Sequence, residues 1–182
     1  RTHRPQGAGC GDLKRMTTES DPRDARPADQ LLACLTGSWM TQALYVAAEL
    51  RIADLLGQGC TTSVEVAAAA GAHAASTHRL MCALVTMGAL RQAKDQSFTL
   101  TPMGALLASD HPASLRHWVL WWGGPLWPVW GKLLYSVQTG RSARSLLTGT
   151  EGFSHLAADS VAAGIFNRAM AELTRYEADQ VL

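Results

Sequence analysis

The chain has 182 residues, of which 47% are hydrophobic and 17% charged, so it has enough apolar side chains for a buried core and is not a disordered tail. Its net charge is +1, and residues 1–28 hold six Arg or Lys against four acids, which leaves 10 basic against 11 acidic side chains in the rest. This balance argues against a nucleic-acid partner. No uninterrupted apolar run reaches the roughly 18 residues that cross a bilayer, so we expect no membrane partner.

The four cysteines, Cys10, Cys34, Cys60 and Cys82, are too far apart for metal-ligand spacing and too few for a disulfide framework. We therefore expect reduced thiols and a cytoplasmic protein. Residues 1–28 lack the apolar stretch of a signal peptide and are expected to form a disordered arm. Met16 is a plausible start, in which case residues 1–15 are upstream or added residues.

Four helices are predicted in the first part of the folded region. They span residues 29–50, 51–56, 64–70 and about 76–88. Thr62 and Glu65 have the spacing of a capping box at the start of the third helix. Two short strands, 89–92 and 97–100, follow around a polar turn. Helix, turn, helix and hairpin in this order predict a winged-helix domain over residues 29–110.

The rest of the chain is predicted to be helical. After a helix that begins at Thr101-Pro102, with proline at the first helical position, come helices over 114–122, 127–139 and 154–182. We predict no βαβ unit. The predicted fold class is therefore mainly α with a short β-hairpin, and residues 111–182 form a helical extension of the first domain.

A winged helix can bind DNA through its second helix, so the cations on that helix matter. Between His73 and Gly88 the sequence has one permanent cation, Arg79, and the predicted hairpin adds Arg91 and Lys94. A recognition helix needs cations or amides at its exposed positions to reach phosphates and base edges. A DNA-binding regulator is therefore the least favoured hypothesis.

Five of the six tryptophans lie within 13 residues: Trp118, Trp121, Trp122, Trp127 and Trp130. The first three are spaced to share one face of a helix. A packed core, a subunit interface and the mouth of a ligand site are three explanations for such a cluster, and the sequence leaves them open.

Motifs that carry chemistry are absent from the sequence. None of the six histidines has a cysteine or carboxylate at a spacing that suggests a ligand set, and there is no nucleophile elbow or zinc motif. A nucleotide or S-adenosylmethionine site requires a glycine-rich turn directly after a strand. The glycine pair at 123–124 follows no predicted strand. We therefore predict no catalytic residue, no metal and no bound cofactor in this chain.

The order of the predicted elements nevertheless resembles one family. The matching stretches are LRIADLL (50–56), TTSVEVAAAAGAHAASTHRLMCALVTMGAL (61–90), FTLTPMGALL (98–107), LWPVWGKLLYSVQTG (126–140) and FNRAM (166–170). Together they resemble the N-terminal domain of the S-adenosylmethionine-dependent small-molecule O-methyltransferases. Cys82 departs from the pattern, because relatives often have a basic residue on this helix.

This resemblance implies a winged-helix dimerisation domain that swaps helices with its twin to form a homodimer. It also implies that the donor site and the catalytic histidine lie in a C-terminal Rossmann-like domain, which would follow the segment 176–182. The full-length parent would use S-adenosylmethionine to methylate a hydroxyl of a hydrophobic, aromatic small molecule, and the chain alone would be inactive.

The resemblance also suggests which residues touch the acceptor. By analogy with the family, Phe166, Asn167 and Met170 are the main candidates, and Trp121 and Trp127 are weaker ones. Phe166 and Met170 could instead be core or dimer contacts, and the three explanations left open for the tryptophan cluster apply to Trp121 and Trp127. Besides the methyltransferase and the DNA-binding regulator, a stand-alone dimeric interaction or ligand-binding protein stays open as a third hypothesis.

Overall fold

The computed structural model describes residues 26–150 and 152–178, so most of the predicted arm lies outside the described residues. The chain divides into two compact units, residues 1–37 and 38–182. The helices are α1 (Pro27–Glu49), α2 (Ile52–Gly57), α3 (Ser63–Ala70), α4 (Ala74–Thr86), α5 (Pro102–Ala105), α6 (Arg116–Gly123), α7 (Trp127–Trp130), α8 (Leu133–Thr139), α9 (Ala143–Thr148) and α10 (Ser160–Ala178), with a 3₁₀ turn at Ser154–Ala157. The strands are β1 (Leu90–Gln92) and β2 (Phe98–Leu100). The mainly α fold with a short hairpin is confirmed.

The predicted capping box at the start of α3 is confirmed. The Thr62 hydroxyl accepts a hydrogen bond from the Glu65 amide at 3.3 Å, and the Glu65 carboxylate accepts one from the Thr62 amide at 2.9 Å. The amide of Thr61 donates to the same carboxylate. Hydrogen bonds from the Thr61 and Thr62 amides lower the pKa of Glu65 below its usual value. Gly71 ends the helix in the left-handed region at φ 63°, as the sequence suggested.

The core of this part lies between α2, α3, α4 and the hairpin. β1 pairs antiparallel with β2, Leu90 opposite Leu100 and Gln92 opposite Phe98, and the Phe98 amide donates to the Thr61 carbonyl. The buried cluster consists of Ala47, Ile52, Ala53, Val66, Met81, Leu84, Ala89, Leu90, Phe98, Leu107 and Ala108. The predicted order of helix, helix and hairpin is therefore present, while the term winged helix stays a prediction.

The C-terminal half of α1 packs closely against α6. The Gln42 side chain donates to the Gly123 carbonyl at 2.9 Å, and a Cβ at Gly123 would overlap the side chain of Tyr45. Arg116 donates to the Ala48 carbonyl from two nitrogens of its guanidinium group. The glycine pair at 123–124 therefore allows two helices to approach each other, and it follows no strand.

Helix α6 also packs along α10, with Glu172 between them. The Glu172 side chain is 5% exposed, and its carboxylate lies 2.7 Å from His117 Nδ1 and accepts a hydrogen bond from the Trp118 amide at 2.9 Å. A buried carboxylate is stable only when it is paired in this way. Glu172 thus fixes the register of α10 against α6.

Three predicted helix boundaries in the second half are wrong. The predicted helix over 127–139 is interrupted between α7 and α8, where Lys132 has the non-helical angles φ −111° and ψ 17°. Helix α9 is additional. The predicted run over 154–182 begins with the 3₁₀ turn, and α10 starts at Ser160 because the Asp159 carboxylate accepts a hydrogen bond from the Ala162 amide and caps it.

Helix α1 bears on the expectation that the chain has no membrane partner. By length and composition it could cross a membrane, although a single helix near the N-terminus is weak evidence, since core helices and signal sequences share these features. The sequence argument considered only uninterrupted apolar runs. The helix Pro27–Glu49 contains polar residues but still has a high mean hydropathy. That the chain has no membrane partner stays a prediction.

Candidate functional site

An aromatic cluster joins α6, α10 and the segment before the 3₁₀ turn. Trp121 is 3% exposed, and the centroid of its ring lies 5.0 Å from that of Phe166. Phe153 is 62% exposed, and its ring lies 5.2 Å from Phe166. Trp121, Phe153 and Phe166, which we call the aromatic cluster, therefore run from the interior to the surface and present an apolar face that a flat ring could contact.

Arg144 of α9 lies over this aromatic cluster. Its guanidinium carbon is 5.5 Å from the Trp121 ring centroid and 5.9 Å from that of Phe153, within the range of a cation–π interaction. Its Nη1 lies 2.9 Å from Nε2 of His155. The guanidinium group of Arg144 thus has two aromatic rings and a histidine as neighbours.

A cleft opens beside Arg144, between α7, α8 and α9. We call it the α7–α9 cleft; its volume is about 470 Å³, within the range of small-molecule sites. It is lined by Leu126, Val129, Trp130, Leu133, Ser136, Gly140, Arg141, Ser142, Ala143 and Arg144. Arg144 belongs to both the cleft and the aromatic cluster, so the two features adjoin.

The five predicted acceptor residues do not form one site. Trp121 and Phe166 are in contact, whereas Met170 is half-buried one turn along α10 and Asn167 is exposed. Trp127 is 38% exposed and lines a separate, smaller cleft of about 360 Å³ with Trp122 and Trp130. The acceptor roles of all five stay predictions.

The tryptophan cluster divides between interior and surface. The Trp122 and Trp130 rings stack at 5.8 Å and 7°, and Trp118 meets Trp122 edge-on at 5.9 Å. Trp121 contacts Phe166 instead, so the three tryptophans of α6 do not act as one face. Trp130 is 50% exposed and borders both clefts.

Two polar pairs were missed at the sequence level. His78 and Cys82 lie one turn apart on α4, with Nε2 and Sγ 3.5 Å apart, so the statement that no histidine has a cysteine at ligand spacing is wrong for His78. The contact between His117 and Glu172 joins residues far apart in sequence, which spacing alone does not reveal. Among residues 26–150 and 152–178, no three His, Cys, Asp or Glu side chains are arranged to hold a metal ion.

Comparison with known proteins identifies the family. Residues 32–110 match the O-methyltransferase dimerisation domain. The chain is 36% identical over 166 residues to phenazine O-methyltransferase PhzM of Lysobacter antibioticus, a match that covers 91% of this chain and 49% of the relative. Residues 32–110 belong to the O-methyltransferase dimerisation-domain family.

Another relative and two solved structures show the same similarity. The mitomycin biosynthesis 6-O-methyltransferase of Streptomyces lavendulae is 31% identical over 174 residues, which cover 91% of this chain and 50% of that protein. The crystal structure of LaPhzM superposes with a TM-score of 0.81 at 36% identity over 86% of this chain and 47% of that one. NcsB1 from neocarzinostatin biosynthesis, solved with S-adenosylmethionine and 2-hydroxy-5-methyl naphthoic acid, has a TM-score of 0.66 at 33% identity, over 75% of this chain and 43% of NcsB1. The chain spans about half the length of the phenazine O-methyltransferase and of the mitomycin 6-O-methyltransferase.

The described residues do not fit an S-adenosylmethionine site of the Rossmann type. Such a site needs a glycine-rich turn after a buried parallel strand. The two strands described form an antiparallel hairpin, and Gly123 lies at the contact between α1 and α6.

Proposed function

We propose that this chain is the dimerising and acceptor-binding part of an S-adenosylmethionine-dependent methyltransferase that modifies a hydroxyl of a flat, apolar small molecule. The donor site and the general base lie outside the chain in this proposal, and the chain by itself transfers no methyl group. Two copies associate through exchanged helices. The acceptor lies against the aromatic cluster and the adjoining α7–α9 cleft.

The observation that carries the proposal is the aromatic cluster, in a chain that is similar over 91% of its length to a phenazine O-methyltransferase. Trp121 supports Phe166 from the interior, and Phe153 extends the same apolar face to solvent. Rings that are already packed lose little conformational entropy when a flat ligand stacks on them. Names of relatives point to ligands of this shape: a phenazine, a mitomycin and a naphthoate.

The chemistry assigned to this chain is positioning. S-adenosylmethionine, when bound by the complete enzyme, supplies the methyl group at its sulfonium centre. A fixed ring face orients the hydroxyl of the acceptor and excludes water from the reacting atoms, which lowers the entropy cost of an in-line transfer. Trp121, Phe153 and Phe166 supply the apolar contacts of this face.

Titration of the purified chain tests both halves of this proposal. Tryptophan fluorescence should change saturably with 2-naphthol, while calorimetry with S-adenosylhomocysteine should show no binding. The Phe166→Ala variant should bind 2-naphthol at least about tenfold more weakly, because an aromatic contact of a few kcal/mol is lost. Tyr176→Ala, an exposed aromatic residue near the end of α10, is the matched control and should bind normally.

Two results would contradict the proposal. Binding of S-adenosylhomocysteine would place a donor site within this chain. Equal affinity of Phe166→Ala and the unaltered protein for 2-naphthol would remove the aromatic cluster from the acceptor surface.

A further inference from the structure

The charge of the α7–α9 cleft is unbalanced. Its described lining includes Arg141 and Arg144 and no acidic side chain, and the remaining wall is largely apolar, with Leu126, Trp130 and Leu133. Neither arginine has a carboxylate partner among the residues that the structure describes. A half-buried guanidinium group favours an anion beside it.

Arg144 also contacts His155. A guanidinium group only donates hydrogen bonds, so Nε2 of His155 is the acceptor in this contact. Nδ1 of His155 is buried and has no hydrogen-bond partner within the described part of the chain, and the same holds for the hydroxyl of Ser145 beside Arg144. The surroundings of Arg144 thus contain two buried polar atoms without a described partner.

The contacts of Arg144 leave most of its N–H groups available. Its guanidinium carbon lies within cation–π distance of the Trp121 and Phe153 rings, and these contacts require no hydrogen bond from its N–H groups. One nitrogen is used by His155, and Arg144 also lines the cleft. An arginine with these neighbours keeps N–H donors for a carboxylate in the cleft.

We propose that Arg144 binds the carboxylate of an aromatic acid whose ring lies in the α7–α9 cleft against Trp130 and Leu133. This inference rests on the proposed function and narrows its acceptor class from flat apolar molecules to those that carry a carboxylate. Arg141 lines the same cleft and adds positive charge to it. The volume of about 470 Å³ accommodates a bicyclic acid.

Calorimetric titration of the full chain with 2-naphthoate and with 2-naphthamide tests the proposal, because these two probes share a shape and differ in charge. The unaltered protein should bind 2-naphthoate at least about tenfold more tightly than 2-naphthamide, as expected for hydrogen bonds between charged groups. Arg144→Gln should remove this preference. Arg91→Gln, an exposed arginine on the hairpin, should keep it.

A purely structural role for Arg144 predicts a different result. If Arg144 only supports Trp121, Arg144→Gln lowers the melting temperature and leaves the preference for 2-naphthoate unchanged, which would overturn the proposal. Equal binding of the two probes by the unaltered protein, or binding of neither at millimolar concentration, would also overturn it. Arg144→Lys keeps the charge, so if Arg144→Gln does not fold, a weakened preference in this variant supports the proposal and an unchanged one contradicts it.

The outcome can be separated from that of the proposed function. Saturable binding of 2-naphthol that depends on Phe166, together with no preference for 2-naphthoate, would leave the acceptor surface in place and reject only the carboxylate site. Loss of binding for all three probes would reject both.

Discussion

Asp54 is the most strongly tied carboxylate in the first half of the described chain. Its side chain is 9% exposed and accepts hydrogen bonds from the Ser109 amide at 2.7 Å, the Ser109 hydroxyl at 2.8 Å and Arg51 Nε at 3.0 Å. Burial raises the pKa of Asp54, but the hydrogen bonds from Ser109 and the charge of Arg51 outweigh it, and the pKa lies below its usual value. Asp54 thereby links α2 to the segment after α5.

This network predicts a loss of stability in acid. Because the folded pKa of Asp54 lies below the unfolded value of about 3.9, its contribution is fully present at neutral pH and is lost as the pH falls through that range. Asp54→Asn should lower the free energy of unfolding by about 1–3 kcal/mol near pH 7 and weaken its decline below about pH 4. Urea unfolding at several pH values measures both effects.

The exposed Asp110 provides the control for this experiment. Asp110→Asn should leave both the stability at neutral pH and its decline in acid nearly unchanged. Equal behaviour of the two variants would mean that the Asp54 network contributes nothing to stability.

The sequence predicted some residues of the site and could not predict others. The contact of Trp121 with Phe166 was not predicted, although both residues were named as candidates, because only Phe166 lies in a stretch that resembles the family. Arg144 was not named, because its position depends on α9, a six-residue helix with weak periodicity, and on contacts with residues 9 and 23 positions away, Phe153 and Trp121. Spacing along a chain does not encode such contacts.

At the scale of secondary structure, the short helix α5 depends on a close approach to the start of the hairpin. The Thr101 hydroxyl accepts from the Gly104 amide at 3.1 Å and caps α5, while a Cβ at Gly104 would overlap the Ala89 carbonyl. The φ of Gly104 is not positive, so its backbone angles alone do not require glycine. Glycine is required at this position because its backbone lies close to the backbone of Ala89.

Substitution of two glycines should therefore have opposite effects. Gly104→Ala should lower the free energy of unfolding by about 1–3 kcal/mol, because the strand or the helix must move to admit a methyl group. Gly57→Ala, at the end of α2 with open space around it, should leave stability unchanged or raise it by up to about 1 kcal/mol. Thermal and urea unfolding of the two variants compare them directly, and a Gly104→Ala variant as stable as Gly57→Ala would contradict the close contact.

Helices with local start and stop signals were predicted well, and those without them were not. Helix α3 has its capping box and Gly71, and α5 has Thr101 with proline at its first position. The interruption at Lys132 has no such signal, because the apolar residues on either side continue a helical period. The start of α10 did have one, Asp159, which the long amphipathic run concealed.

At the scale of the whole molecule, several large apolar side chains remain exposed in this single chain. Trp39 is 74% exposed, Val137 75% and Leu134 69%. Soluble monomers rarely leave so many large side chains in water, whereas a dimerisation domain buries them against a second copy. The resemblance to the family anticipated this function, but only the structure identifies which apolar residues of α1 and α8 are unburied.

This exposure predicts that the chain is a dimer at micromolar concentration and that Trp39 contributes strongly to association. Trp39→Glu should weaken the dimer by at least about tenfold, because burial of one tryptophan contributes about 1.5–3 kcal/mol and a buried charge opposes it. Lys94→Glu also introduces a negative charge, at the exposed turn of the hairpin, and should leave the dimer intact. Sedimentation equilibrium of the three proteins gives the dissociation constants; a folded monomer of the unaltered chain, or equal constants for the two variants, would show that Trp39 lies outside any interface.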